Sequence, residues 1–183
     1  MAGTKNNRRT LYTKRVIREE FLALLQVKPL AKITVKEICV AADINRGTFY
    51  NYYTDPYDLF QKIEEDLIQE VLSTIKINER ALDTWLVKIL TVLVENKDVS
   101  TIILSSRNDS KLLSSVLERV KPQSLENFTH IFEDTSDDNL DLYFTYFVEG
   151  TIGLIEKWLK HYSHLSPDEV SRMIVSILST RIE

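Results

Sequence analysis

Residues 33–60, ITVKEICVAADINRGTFYNYYTDPYDLF, constrain the chain more than any other stretch, because two short amphipathic segments meet there at a tight turn. Thr34 stands where a helix cap is needed and Glu37 follows three residues later, the spacing of a capping box. Asp43-Ile44-Asn45 then breaks the periodicity, so the stretch predicts helix, turn and helix. Val35, Ile38 and Ala41 or Ala42 give the first segment one apolar face, and Ile44, Phe49 and Tyr53 can close over it. What remains outward is Asn45, Arg46, Gly47, Thr48, Tyr50, Asn51 and Tyr52. A guanidinium, two phenols, several amide and hydroxyl groups and a residue without a side chain make a set suited to phosphates and base edges. Arg46 suits a bidentate contact to guanine, Thr48 or Tyr50 a thymine methyl, and Gly47 a close backbone approach.

The pattern Ile-Thr-Val-x-x-Ile, then Arg-Gly-Thr-Phe-Tyr-x-Tyr-Tyr, then Asp-x-x-Asp-Leu resembles the DNA-binding segment of the TetR (tetracycline-repressor-like) family of bacterial regulators. The resemblance covers roughly residues 10–60. It implies that Thr34 and Lys36 lie near DNA at the start of the second helix, that Arg46, Gly47, Thr48 and Tyr50 lie at or near base edges, and that Asn51 and Tyr52 meet phosphates. Phe49 and Tyr53 fall to the core. Two positions depart from the family pattern. Asp43 replaces the usual turn glycine, and aspartate is among the few residues that tolerate the left-handed conformation. Pro56 replaces a lysine that touches a phosphate; Asp55-Pro56 still makes a sound helix start.

Charge agrees with a DNA-binding head. The net of −4 is uneven: residues 1–54 carry ten Lys or Arg against four Asp or Glu, whereas the remainder is acidic. A head at residues 1–54 and a body at residues 55–183 are the expected domains. Residues 1–9 are polar and basic and predict a mobile arm; apolar spacing predicts a first helix over residues 10–27, bracing the helix-turn-helix from behind. With four Gly, four Pro and no sustained strand alternation, the fold class is all-α. No secretory start or long apolar run occurs, and Cys39 is the lone cysteine, so the cytoplasm is the expected location.

A helix from residue 56 to 75 is expected to join head and body. Further helices are expected over residues 81–95, 99–106 and 111–120, with Pro122 interrupting a stretch to Phe132, then an acidic link over residues 133–141 and final helices over 140–162 and 167–181. The last two resemble the family's dimerisation pair, which assigns Gly150, Gly153, Leu154, Trp158, Val170, Ile174, Ile177 and Leu178 to a homodimer interface. Family members of this kind bind a small-molecule effector in the body, and aromatic content nominates Trp85, Phe128, Phe132, Tyr143 and Phe147. The expectation is a dimeric, ligand-responsive repressor of a pseudo-palindromic operator in double-stranded DNA. The alternative is a coactivator or adaptor of the same fold acting through a protein partner. No catalytic or metal constellation stands out: Gly-rich phosphate loops, His-Glu-x-x-His and Cys-x-x-Cys are missing, and His161 with His164 reads as helix-end charge. Neither an enzyme nor a cofactor is expected beyond an unidentified effector.

Overall fold

The computed structural model describes residues 3–74, 82–105, 111–132 and 136–179, and every extended element among them is helical. Expected helix ends at Ile75, Ala81, Ser106 and Arg181, and part of the acidic link, lie outside the described residues. The chain divides into two compact units, residues 1–65 and 66–183.

The first unit contains α1 (Gly3–Val27), a 3-10 turn (Leu30–Lys32), α2 (Val35–Ala41), α3 (Arg46–Tyr50) and the start of α4 (Pro56–Thr74). Its core is small and apolar: Ile17 and Phe21 from α1, Ile38 from α2, Phe49 from α3 and Leu59 from α4 are completely buried. The α2 start is the predicted capping box. The Glu37 N–H donates to Thr34 Oγ1 at 3.3 Å, and the Thr34 N–H donates to Glu37 Oε2 at 3.0 Å. Asp43 takes φ 50°, the only positive φ at a non-glycine residue among those described. At the next junction the Asp58 N–H donates to Asp55 Oδ1 at 2.9 Å, capping α4, with Pro56 buried at its first position.

Two boundaries differ from expectation. The α1 helix begins at Gly3, so residues 3–9 continue the helix rather than trailing as an arm. The α3 helix, which helical spacing predicts over about residues 46–53, stops at Tyr50: the N–H groups of both Tyr52 and Tyr53 converge on the Phe49 carbonyl, at 2.9 and 3.0 Å, and tighten its last turn.

The second unit holds the end of α4 with α5 (Leu82–Glu95), α6 (Lys97–Ser105), α7 (Lys111–Ile131), α8 (Asp137–His161) and α9 (Pro167–Ser179). The α5 helix packs on α9, and α8 takes α6 and α7 on its flanks. Pro122 does not interrupt α7. Its ring is exposed while Val120 and Ser124 beside it are buried, so packing on both sides carries the helix through the missing hydrogen bond. The α8 helix starts three residues early because Asp137 and Asp138 favour a first helical turn. Ser166 and Glu169 form a second capping box that opens α9, and the Trp158 Nε1–H donates to the Leu165 carbonyl at 3.0 Å, tying the end of α8 into that turn. No described helix is long and apolar enough to cross a membrane.

Candidate nucleic-acid interface

The start of α3 is organised by Asn45. Its Oδ1 accepts the Thr48 N–H at 2.7 Å and the Thr48 hydroxyl at 3.1 Å, which satisfies an amide the helix leaves open. The second bond commits the hydroxyl hydrogen within the protein. What Thr48 has left to offer a base is its methyl group and its oxygen lone pairs. A Cβ placed on Gly47 would lie 3.2 Å from Asn45 Oδ1, tighter than ordinary contact, so the glycine also leaves room for the cap. Asn45→Ala is expected to destabilise the first unit by about 1 kcal/mol in thermal melts followed by circular dichroism. An unchanged melt would show the cap to be idle.

Around this turn the predicted outward residues are outward. Lys36, Asn45, Arg46, Gly47 and Asn51 are exposed, Tyr50 is 56% exposed, and Thr48 and Tyr52 are half-buried. Lys36 from α2 and Arg46 from α3 line one shallow surface depression together with Val40, Asp43 and Asn45. Cys39 lies at its floor, buried, with its thiol pushed up by that burial. Tyr50 leans edge-on against buried Phe49, with ring centroids 5.7 Å apart, so the core fixes where this exposed phenol stands. Lys14 was not foreseen: its Nζ lies 5.6 Å over the Tyr52 ring and brings an α1 cation to the same helix-turn-helix. That neighbourhood is tertiary, and no local spacing signals it.

At the α4 start, buried Pro56 has no N–H for a phosphate. Lys62 does not take over. Its Nζ donates to the Tyr52 carbonyl and to Asp58 Oδ2, both at 3.0 Å, and so braces the end of α3 against α4.

Thr34 is exposed, but its hydroxyl donates to Glu37 Oε2 at 2.7 Å. Glu37 also pairs with Lys28. The Lys28 hydrogen bond, followed by those from Thr34, lowers the Glu37 pKa from 4.5 to about 2. Because the folded value is depressed, this contribution to stability is complete above pH 4.5 and is lost as pH falls from there toward about 2. Thermal melts between neutral pH and pH 3 should show the first unit weakening in acid, and Glu37→Gln should remove part of that dependence.

The candidates in the second unit sort differently. A cavity of about 110 Å³ lies between α4, α5, α6, α7 and α8. Trp85 and Phe147 line it; Phe128, Phe132 and Tyr143 do not. They form an adjoining aromatic cluster in which Phe132 stacks on Tyr143 at 4.0 Å and Phe128 meets the edge of Phe147 at 5.9 Å. Most of the lining is aliphatic, from residues such as Ile89, Val120, Val148 and Ile152, which a search by aromatic content passes over.

Of the residues nominated for the dimer face, Gly150 and Gly153 look onto open space and Ile177 is 59% exposed. Leu154 is half-buried. Trp158, Val170 and Ile174 are instead packed within their own unit at 1–2% exposure, because α9 folds back onto α5 and α8. The Leu178 side chain lies outside the described residues. Sequence reading missed Leu142, 64% exposed, and Tyr146, 80% exposed. With Gly150 and Gly153 they continue one stripe along α8, and their four-residue spacing was available as a signal.

Comparison with known proteins places this geometry. A TetR-class family model described as a transcriptional regulator C-terminal region matches residues 80–180, just over half of the chain. The chain is 22% identical over 178 residues to the uncharacterized HTH-type transcriptional regulator YxbF of Bacillus subtilis (strain 168), covering 90% of this chain and 44% of that protein. It is 31% identical over 68 residues to DhaS, the HTH-type dhaKLM operon transcriptional activator of Lactococcus lactis subsp. lactis (strain IL1403), covering 37% of this chain and 36% of that one. The matched stretches span less than half the length of these curated relatives. A TetR transcriptional regulator from Streptococcus agalactiae 2603V shares the fold, with a TM-score of 0.66 at 22% identity over 96% of this chain and 98% of that chain. With the family model spanning more than half of its length and the fold shared almost end to end, the chain belongs to the TetR family of transcriptional regulators.

Proposed function

We propose that the protein is a homodimeric DNA-binding regulator that represses transcription by occupying a pseudo-palindromic operator and responds to a small molecule bound in its second unit. The observation that carries this reading is the meeting of Lys36 and Arg46 at one surface depression, beside exposed Gly47 and Tyr50, in a segment with a net charge of +6 over residues 1–54. Arg46 and Tyr50 read bases; Lys36, Asn51 and Tyr52 hold the phosphate backbone; Asn45 and Thr34 keep their helix starts in shape. One such module makes few contacts. Two of them, joined through the open stripe of Leu142, Tyr146, Gly150 and Gly153 on α8 with Ile177 on α9, read two half-sites. An effector that prefers one arrangement of the dimer then changes operator affinity by that preference.

Binding to the promoter region next to the protein's own coding sequence, measured by fluorescence anisotropy at several salt concentrations, tests the reading. Affinity should fall steeply as salt rises, and Arg46→Ala should cost about 1–3 kcal/mol of discrimination. Absent or salt-insensitive binding by the intact protein would overturn it. A second reading, activation, is favoured by the relative DhaS, a transcriptional activator of the dhaKLM operon. A reporter under the bound promoter separates the two: deleting the regulator raises expression if it represses and lowers it if it activates. Co-purification of a protein partner without any DNA affinity would point to the adaptor alternative.

A further inference from the structure

We infer that the effector is a small, uncharged and mostly hydrocarbon molecule, no larger than benzene and about the size of a four-carbon alcohol. The inference rests on the proposed reading of the second unit as an effector-binding body and goes on to name the chemistry of what it binds. The walls are Val71 of α4, Trp85 and Ile89 of α5, Val120 of α7, and Phe147 and Ile152 of α8, with further aliphatic residues between them. Among the described residues, no Asp, Glu, Lys, Arg or His lines the cavity. A carboxylate, phosphate or ammonium ligand entering it would lose its water and meet no counter-charge, which is strongly unfavourable. Of the described lining residues only Ser124, Thr151 and Trp85 carry a polar side-chain group, and the wall itself is almost wholly hydrocarbon. The Ser124 hydroxyl already donates to the Val120 carbonyl at 3.0 Å, so it can only accept from a guest. A guest therefore meets mainly apolar surface, which offers little to a second polar group on it.

Size follows from volume. The cavity measures about 110 Å³. An apolar cavity of about 150 Å³ takes benzene, so this smaller one sets benzene as the upper limit of size and suits a guest of about four to six non-hydrogen atoms. Burial of such a molecule is driven by its apolar surface, and its recognition by shape.

The test uses the intact protein with benzene, 1-butanol, butyrate and butylammonium as probes, followed by the methyl resonances of Ile89, Val120, Val148 and Ile152 and by Trp85 fluorescence. Benzene and 1-butanol should move these signals saturably, while butyrate and butylammonium at the same concentrations should bind at least tenfold more weakly. Filling the cavity with Val148→Phe should remove the response; Thr151→Leu does the same with a smaller change, in case the first variant fails to fold. Saturable binding of butyrate or butylammonium as tight as that of 1-butanol, or no response to either neutral probe, overturns the inference. Operator affinity measured with and without saturating 1-butanol keeps the two levels apart. Neutral binding that leaves operator affinity unchanged supports the ligand class and overturns the regulatory reading on which it was built. Charged binding that shifts operator affinity does the reverse.

Discussion

Phe49→Ala is expected to unfold the first unit and abolish DNA binding, whereas Arg46→Ala should leave the unit folded and weaken only its discrimination between sequences. Phe49 has no exposed surface, and its ring touches Tyr50 edge-on and Tyr53 at a tilt. Truncating such a side chain costs about 3–5 kcal/mol through lost burial and the void left behind. A small domain holds only about 5–15 kcal/mol in total, so the change removes much or all of its margin. It also releases Tyr50 and Tyr53, the first on the proposed interface and the second in the core. Arg46 is exposed, and its loss opens no void. Circular dichroism melts and anisotropy on the same two variants read the contrast. Wild-type melting of Phe49→Ala would mean that α3 is held by something other than its buried ring.

Dissociation of the proposed dimer should have the second large effect. Tyr146→Glu together with Ile177→Glu places a charge in each of two exposed apolar patches without disturbing the buried packing of either helix. The variant is expected to sediment as a folded monomer and to bind operator DNA roughly 10²–10⁴-fold more weakly, the gain that linking two binding modules supplies. Trp158→Ala is the informative contrast. That side chain is 2% exposed and bonds the Leu165 carbonyl, so its loss should lower the melting temperature of the chain. A double variant that remains dimeric would move the interface away from the α8 stripe.

The residues that proved legible in the sequence are those whose partners are close in the chain. Thr34 with Glu37, Asp55 with Asp58, and Asp43 at the turn each depend on neighbours within three or four positions, and each has the predicted hydrogen bond or dihedral. Phe49 and Tyr53 were assigned to the core from helical spacing, and they are buried. The body was less legible. Aromatic content picked out Trp85 and Phe147, which line the cavity, together with Phe128, Phe132 and Tyr143, which pack in the adjoining cluster, because an aromatic ring buries as well against another ring as against a cavity. Pro122 was read as a break on local grounds, and packing on either side carried α7 through it.

Sequence alone determined the helix-turn-helix, its caps and the polar set it turns outward, because helix starts, turns and amphipathic faces are settled by contacts a few residues apart. Tertiary structure alone decided that Trp158, Val170 and Ile174 belong to the interior while Leu142 and Tyr146 stay open, that Lys14 comes to lie over Tyr52, and that aliphatic residues from five helices line a shared cavity. A periodic apolar stripe records only that a face is to be covered. What covers it depends on which helices pack together, and that is set by surfaces distant in sequence.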